Sequence, residues 1–521
     1  MNRRLAIIAL IVVAIGAVAG GLFGRLPART SAEGEVTTEK IGDSSMQAML
    51  WSLDPHSAFF TREEFRKLDE EQSSQFYGIG VSILRHRDGV YVQSVVPGTP
   101  AEKAGLRYGD RFVSVASKDA KEWTSAEVSR NVRGERGTSV NLQIERVGLQ
   151  APLTFDIVRG GVPLPSIRNY FMLPNAVGYV GLTGGFQQTT SEELSIAITD
   201  LKKKGMKSLV LDLRGNPGGI LEQAVAVVSK FIPGGQTVVS VKGSKTVASR
   251  ELRATGGGVE DLPLVVMING GSASASEIVA GAIQDYNRGL VVGSDSFGKG
   301  LVQRVFKLPY GSGLTLTTGR YYTPFGRSLQ REYSGGSIYD YYTHGDDRPE
   351  NADLDEKPKP VGVPVATASG RVLYGGRGLE PDIVATPLMG TAARARVNEA
   401  AFFFVRRLVA GMINGFADKK VEKQSFRPTL QPGEFAINDR LFEAFRVYAA
   451  ADPANGLTAA NIDSQAEYAR RRLREELATA NYSTEAGTQV LLEADPQVLK
   501  ALDAMSQAQG LVAATQPFAR K

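Results

Sequence analysis

The spacing of hydrophobic and polar positions changes several times along the chain, and each change marks a boundary. Residues 5–23 form an uncharged, almost wholly apolar run, preceded by Arg3 and Arg4 and closed by Arg25. About 20 apolar residues suffice to span a bilayer, and basic residues ahead of such a run favour an inside N-terminus with the remainder outside. Ala17, Val18 and Ala19 offer a small-x-small site, so the run also reads as a cleavable signal peptide. Polar residues 27–39 follow as a linker. Over 44–75 the spacing is helical and acidic, interrupted at Leu53-Asp54-Pro55. Over 76–146 it becomes short alternating runs between glycine turns. Strands are predicted at 81–84, 90–95, 111–115 and 140–144, with a short helix over 100–106 ending at Gly105.

Between 163 and 387 the period itself alternates. Apolar runs at 177–182, 208–213, 264–268 and 289–292 read as strands, and 190–204, 221–231 and 277–286 as helices. Such alternation predicts an α/β layer architecture with mainly parallel strands. Later ribbons are expected at 302–308 and 313–322, and a polar, proline-bearing surface insertion at 340–359. Beyond 391 the chain is helical, including 464–478. The expected organisation is a signal or transmembrane segment with linker (1–30), an N-terminal helical region (31–75), a small β module (76–150), an α/β core (151–390) and a C-terminal helical region (391–521).

Composition narrows the function. The net charge of +5 is spread over 60 basic and 55 acidic residues with no basic stripe, which argues against nucleic-acid binding. Lys202-Lys203-Lys204 and Arg470-Arg471-Arg472 read as solvated helix faces. With no cysteine, disulfides, thiolate catalysis, cysteine-ligated zinc and lipoprotein attachment are all impossible. There is no His-Glu-x-x-His zinc motif, and no metal or organic cofactor is expected.

Three segments could carry chemistry. Asn269-Gly270-Gly271-Ser272-Ala273-Ser274-Ala275-Ser276-Glu277 lies between an apolar strand and a helix. A serine on such a turn can be exposed beside backbone N–H groups suited to an oxyanion, but taken alone the motif is better read as a helix cap, Ser274 or Ser276 at the cap and Glu277 in the first turn. Gly293-Ser294-Asp295-Ser296-Phe297-Gly298-Lys299-Gly300 nearly matches a phosphate-binding loop. Gly300 stands where a magnesium-binding Ser or Thr is required, and a strand pattern follows instead of a helix, so the nucleotide reading is rejected. What remains is a lysine in a small, partly apolar loop, either simply exposed or deprotonated by desolvation and able to act as a base. Leu211-Asp212-Leu213-Arg214-Gly215-Asn216-Pro217-Gly218-Gly219 is a glycine-rich strand-to-helix turn that could complete an oxyanion hole or simply turn the chain. Of the three histidines, His56, His86 and His344, none falls in these core motifs. A lysine base is therefore more economical than a Ser-His-Asp triad.

Together these motifs resemble the carboxyl-terminal processing proteases, also called tail-specific proteases. The resemblance rests on Gly270-Gly271-Ser272-Ala273-Ser274-Ala275-Ser276-Glu277-Ile278 and Phe297-Gly298-Lys299-Gly300-Leu301-Val302-Gln303. Leu53-Asp54-Pro55-His56-Ser57, Tyr77-Gly78-Ile79-Gly80, Tyr321-Tyr322-Thr323-Pro324-Phe325-Gly326-Arg327-Ser328 and Gly378-Leu379-Glu380-Pro381-Asp382 support it. It runs in order over about 44–387 and departs at Phe325, where a small residue is usual. The resemblance implies a multidomain α/β protein: a ClpP/crotonase-like protease core, an inserted PDZ-like β module, and N- and C-terminal helical regions. It implies Ser274 as nucleophile, Lys299 as base and Gln303 positioning the lysine. Ala275 and one of Gly218 and Gly219 would donate to the oxyanion, and Ser272 and Ser276 would be structural. It further implies that Tyr77, Gly78, Ile79 and Gly80 help bind substrate tails with free C-termini. No cofactor is implied. The expected partners are protein and peptide substrates, and the membrane through the N-terminal segment, on the periplasmic side of a cell envelope; a homo-oligomer is possible. The rival reading is a non-catalytic PDZ adaptor on a degenerate core. The presence of Ser274, Lys299 and Gln303 together favours the enzyme.

Overall fold

Runs such as Leu264–Ile268 have no polar side, so a sheet built from them must be covered on both faces. In the computed structural model they form a six-stranded sheet in the order Ile167–Leu173, Val177–Leu182, Ser208–Asp212, Leu264–Ile268, Leu290–Gly293, Ile383–Val384. The first pair is antiparallel and all later pairs are parallel. The structure describes residues 38–243, 248–333, 341–342, 362–367 and 370–515. The expected signal or membrane segment at 1–30 and most of the polar insertion lie outside these. Among the described residues no helix is long and apolar enough to cross a membrane. The chain divides into two units, Met1–Met49 and Leu50–Lys521; everything below concerns the second.

Helices Thr190–Lys203, Leu221–Val228 and Ala275–Asp285 cover one face of this sheet, packing on Leu209, Leu211, Val266 and Ile268. Alternate side chains of the same strands, Val210, Val265, Met267 and Val292, point the other way. They are covered by Val498, Ala501 and Ala508 of the last two helices, Pro496–Asp503 and Met505–Thr515, and by Ala504 between them. The expected core boundary at 390 is therefore corrected. The final helices belong to the core, because the earlier ones cover only one face.

A second sheet of five strands centres on Gly313–Tyr322, which pairs with Leu301–Lys307, Thr237–Gly243 and Ala58–Phe60. The region expected to be helical over 31–75 thus contributes a strand. Pro55 cannot continue a helix, and the helix Arg62–Gln72 starts afresh from a capping box of Thr61 and Glu64.

The small module is a sheet in the order Val81–His86, Gly89–Val95, Arg111–Val115, Ser139–Glu145, Leu153–Val158, with helices Pro100–Ala104 and Ser125–Val132. It extends past residue 150, because Ser139–Glu145 needs its antiparallel partner, with Ser139 opposite Val158. The incoming strand Gln75–Gly78 and the outgoing strand Gly160–Pro163 pair with each other and close the module off as an insertion. The helices Ala392–Val409 and Ala466–Asn481 pack on it. His86 stacks on Phe402 at 3.7 Å between ring centroids and hydrogen-bonds Glu399, and the Tyr108 hydroxyl donates to Glu476.

Candidate active site

At the C-terminal end of Leu264–Ile268 the chain turns into the helix Ala275–Asp285, and the turn sorts three serines. Ser272 is fully buried, donates to the Leu213 carbonyl at 2.8 Å and accepts from the Asn269 N–H. Ser276, also fully buried, donates to the Asn216 carbonyl at 2.9 Å. Both hydroxyls are committed to holding this turn against the 213–219 loop. Only Ser274 is partly exposed. Its backbone has φ 55° and ψ −115°, well outside the ordinary wells. Strain of this kind costs about 1–3 kcal/mol and persists only where surrounding bonds impose it. Here those bonds run from Ser272, Ser276 and the Ser274 N–H, which donates to Glu277 at 2.8 Å.

The glycine loop passes directly beside this serine. A Cβ on Gly218 would stand 2.7 Å from the Ser274 Cβ and 2.9 Å from the Ala275 nitrogen, so only glycine allows the approach. Gly218 donates its own N–H to the Asn216 side chain, and its carbonyl accepts from Phe186. The N–H groups of Gly219 and of Ala275, at the helix start, make no hydrogen bond among the described residues. Of the glycine pair, Gly219 is thus the available donor, a choice the sequence left open.

Glu277 joins the serine turn to the lysine loop. It is fully buried and accepts four hydrogen bonds. One oxygen takes the Ser296 hydroxyl at 2.5 Å and the Gly298 N–H at 2.8 Å. The other takes the Ser274 N–H at 2.8 Å and the Lys299 N–H at 2.9 Å. The backbone nitrogens of Ser274 and Lys299 can lie no further apart than those two bonds laid end to end. Burial pushes the Glu277 carboxyl up to about 7 even against these four donors. The sequence presented Glu277 only as a first-turn helix residue; its spacing from Lys299 carried no local signal.

Lys299 is held below the ordinary lysine pKa, chiefly by burial, while the carboxylates of Glu277 and Asp54 oppose the shift. The sequence showed Asp295 as the only nearby acid; these two carboxylates come from other segments. Nor are all the histidines remote. His56 lies edge-on to Phe297 of the lysine loop and to Tyr341, and its Nε2 pairs with the Tyr341 hydroxyl at 2.7 Å. Burial first, then the Lys299 charge, lowers the His56 pKa to about 3, so it is neutral at physiological pH. Gln303 sits one turn of sequence beyond Lys299, on the strand Leu301–Lys307 and opposite Thr317. Its amide donates to the Thr317 hydroxyl at 3.3 Å. The Tyr321 hydroxyl is buried beside Ser274 and finds no partner of ordinary geometry among the described residues.

The expected tail-binding residues separate in the structure. Tyr77 and Gly78 belong to the ribbon, opposite Gly161 and Gly160, and Ile79 is buried in the module core. Gly80 has φ 89°, and a Cβ there would stand 2.3 Å from Thr99. The loop therefore delivers the chain into Val81–His86, which among the described residues is an edge strand paired only with Gly89–Val95, with Leu84 exposed and Ser125–Val132 alongside. An open edge beside a helix can accept an added peptide strand.

Residues 176–342 match the peptidase family S41 and residues 91–146 a PDZ domain. A carboxy-terminal-processing protease of Bartonella bacilliformis is 38% identical over 297 residues, which cover 56% of this chain and 68% of that protein. The carboxy-terminal processing protease CtpA of Bacillus subtilis is 35% identical over 300 residues, covering 56% of this chain and 62% of that one. A solved photosystem II D1 C-terminal processing protease is 28% identical, covering 68% of this chain and 84% of its own, at a TM-score of 0.35.

Proposed function

Because the chain belongs to the carboxy-terminal-processing proteases, serine peptidases with a PDZ domain, we propose that it cleaves proteins by a Ser274–Lys299 dyad after selecting them by their C-terminal tails. Neutral Lys299 takes the proton of the Ser274 hydroxyl as its oxygen bonds to the scissile carbonyl carbon. The carbonyl oxygen becomes an oxyanion facing the N–H groups of Ala275 and Gly219. Lys299 returns the proton to the leaving amine, and water then hydrolyses the acyl-enzyme by the same exchange. The observation that carries this reading is the sorting of the serines: two are spent on the fold, and the strained third has its backbone N–H on the same Glu277 oxygen as the N–H of the desolvated lysine. Digestion of an unfolded protein by wild type and Ser274→Ala side by side tests it. Cleavage by a folded Ser274→Ala enzyme refutes it.

The free edge of Val81–His86 supports strand addition by the substrate tail, with Gly80 and its neighbours facing the terminal carboxylate. The basic head and apolar run of residues 3–23 support export, with the bulk of the protein on the outer side of a bacterial membrane. Added protease should then degrade it in intact spheroplasts; protection until lysis counts against export.

A further inference from the structure

The turn between the helix Thr38–Trp51 and the strand Ala58–Phe60 is far from the motifs of the dyad in sequence, yet it lies against them. Ala58–Phe60 pairs antiparallel with the start of Gly313–Tyr322, Ala58 opposite Thr315, which lays residues 54–57 along Thr317. Asp54 is buried, 7% exposed, and its two oxygens are fully engaged. Oδ1 accepts the N–H groups of His56 and Ser57 at 2.8 and 2.9 Å and the Thr317 hydroxyl at 2.9 Å. Oδ2 accepts the Ser57 hydroxyl at 2.6 Å. The Thr317 N–H in turn donates to Ser57, and the Thr317 hydroxyl accepts from Gln303.

We propose that Asp54 is a positioning residue of the dyad: it braces Gln303 through Thr317 and places a fixed negative charge on the Lys299 side of the site. The inference rests on the Ser274–Lys299 reading and deepens it. When Lys299 accepts the serine proton it changes from neutral to cationic inside a desolvated site. A preorganised carboxylate stabilises the cation at that moment without reorganising. The groups facing Lys299 are Glu277 from the serine helix and Asp54 and His56 from the N-terminal turn. Tyr341 and Tyr342 pack over His56, and Arg331 over Phe297. His56 is neutral, and Glu277 is spent on backbone donors of both loops. Asp54, tied to Gln303 through Thr317, is therefore the carboxylate from outside the serine turn and the lysine loop whose charge acts on Lys299.

The test is kcat and KM against pH on a peptide substrate, for the full chain, with Asp54→Asn and Thr317→Val. Asp54→Asn keeps the shape and an acceptor oxygen but removes the charge. Its expected signature is a kcat lower by about ten- to a hundredfold, KM within about twofold, and an acid limb displaced to lower pH, because a carboxylate that favours the lysine cation has gone. A purely structural aspartate would not move that limb. Thr317→Val breaks the brace and leaves the charge, so kcat should fall by about tenfold with the limb unmoved; this variant carries the test if Asp54→Asn does not fold. A wild-type limb and kcat in folded Asp54→Asn, a loss confined to KM, or wild-type kcat in Thr317→Val overturns the inference. Lys299→Ala, measured alongside, separates the two readings. If it is active, the dyad itself is wrong; if it is dead while Asp54→Asn is normal, only the role of Asp54 falls.

Discussion

The serine turn and the lysine loop flank one site but are built differently. The turn is a local construction: one strand end, one helix start, and buried serines bonded to the neighbouring 213–219 loop. The loop is an assembly. Its desolvation, its opposing carboxylates and its aromatic cover come from residues 54–57, Glu277 and 341–342 as well as from its own Phe297. A nucleophile needs exposure and geometry, which neighbours in sequence can supply. A lysine base needs its charged form disfavoured, and only three-dimensional burial does that.

This contrast breaks most sharply on the serines. Ser274→Ala should remove roughly three orders of magnitude or more of peptidase activity without loss of folding. Ser272→Ala and Ser276→Ala should keep appreciable activity, each losing about 1–3 kcal/mol of stability for a buried carbonyl left without its donor, measured by urea unfolding. A folded, dead Ser276→Ala beside an active Ser274→Ala would reassign the nucleophile.

Lys299→Arg should be nearly as inactive, since a guanidinium does not give up its proton in the working range. Wild-type kcat/KM should rise with pH through neutrality, as the lysine with its lowered pKa deprotonates. Substantial activity in Lys299→Arg would turn attention to His56, which lies edge-on to Phe297 of the loop.

Glu277→Gln probes the link between the two regions. An amide keeps one acceptor oxygen and turns an NH₂ group toward two of the four donors, so activity should fall by about ten- to a hundredfold, with about 1–3 kcal/mol of stability lost per unsatisfied donor. The pH dependence has a definite sign. Native Glu277 holds its proton up to about 7, whereas the unfolded value is 4.5. The native state therefore binds more protons between those values. The stabilisation is complete below 4.5 and is lost as pH rises through about 7. Urea midpoints of wild type should show this decline and those of Glu277→Gln should not; parallel curves would remove the titration from this residue.

The smallest effect concerns the module. Amidating the C-terminus of a good substrate should raise KM several-fold and leave kcat nearly unchanged, because carboxylate capture precedes chemistry. Equal KM values for acid and amide forms would leave the edge strand without a carboxylate partner.

Much of this architecture could be read from the chain alone. Strands at Val177–Leu182, Leu264–Ile268 and Gly313–Tyr322 have the bounds that their apolar runs and flanking glycines predict, because both limits are set by local composition. The helix after the serines starts at Ala275, before the predicted 277, since Ser274 takes the capping position in a strained conformation that no pattern encodes. The segments carrying the dyad were legible as motifs. Their partners were not: Asp54, Thr317 and Glu277 meet Lys299 or its neighbours only through strand pairing and helix packing. The role of the last helices was equally hidden. Amphipathic spacing says that a helix has an apolar side but not which surface it covers, and the open face of the parallel sheet decided that. Sequence by itself determined most of the elements and the family, and it marked the segments that hold the candidate side chains. Tertiary structure decided which serine is spared from the fold, which glycine N–H remains to donate, and what lowers the lysine pKa. Each of these depends on hydrogen bonds and desolvation between segments that only folding brings into contact.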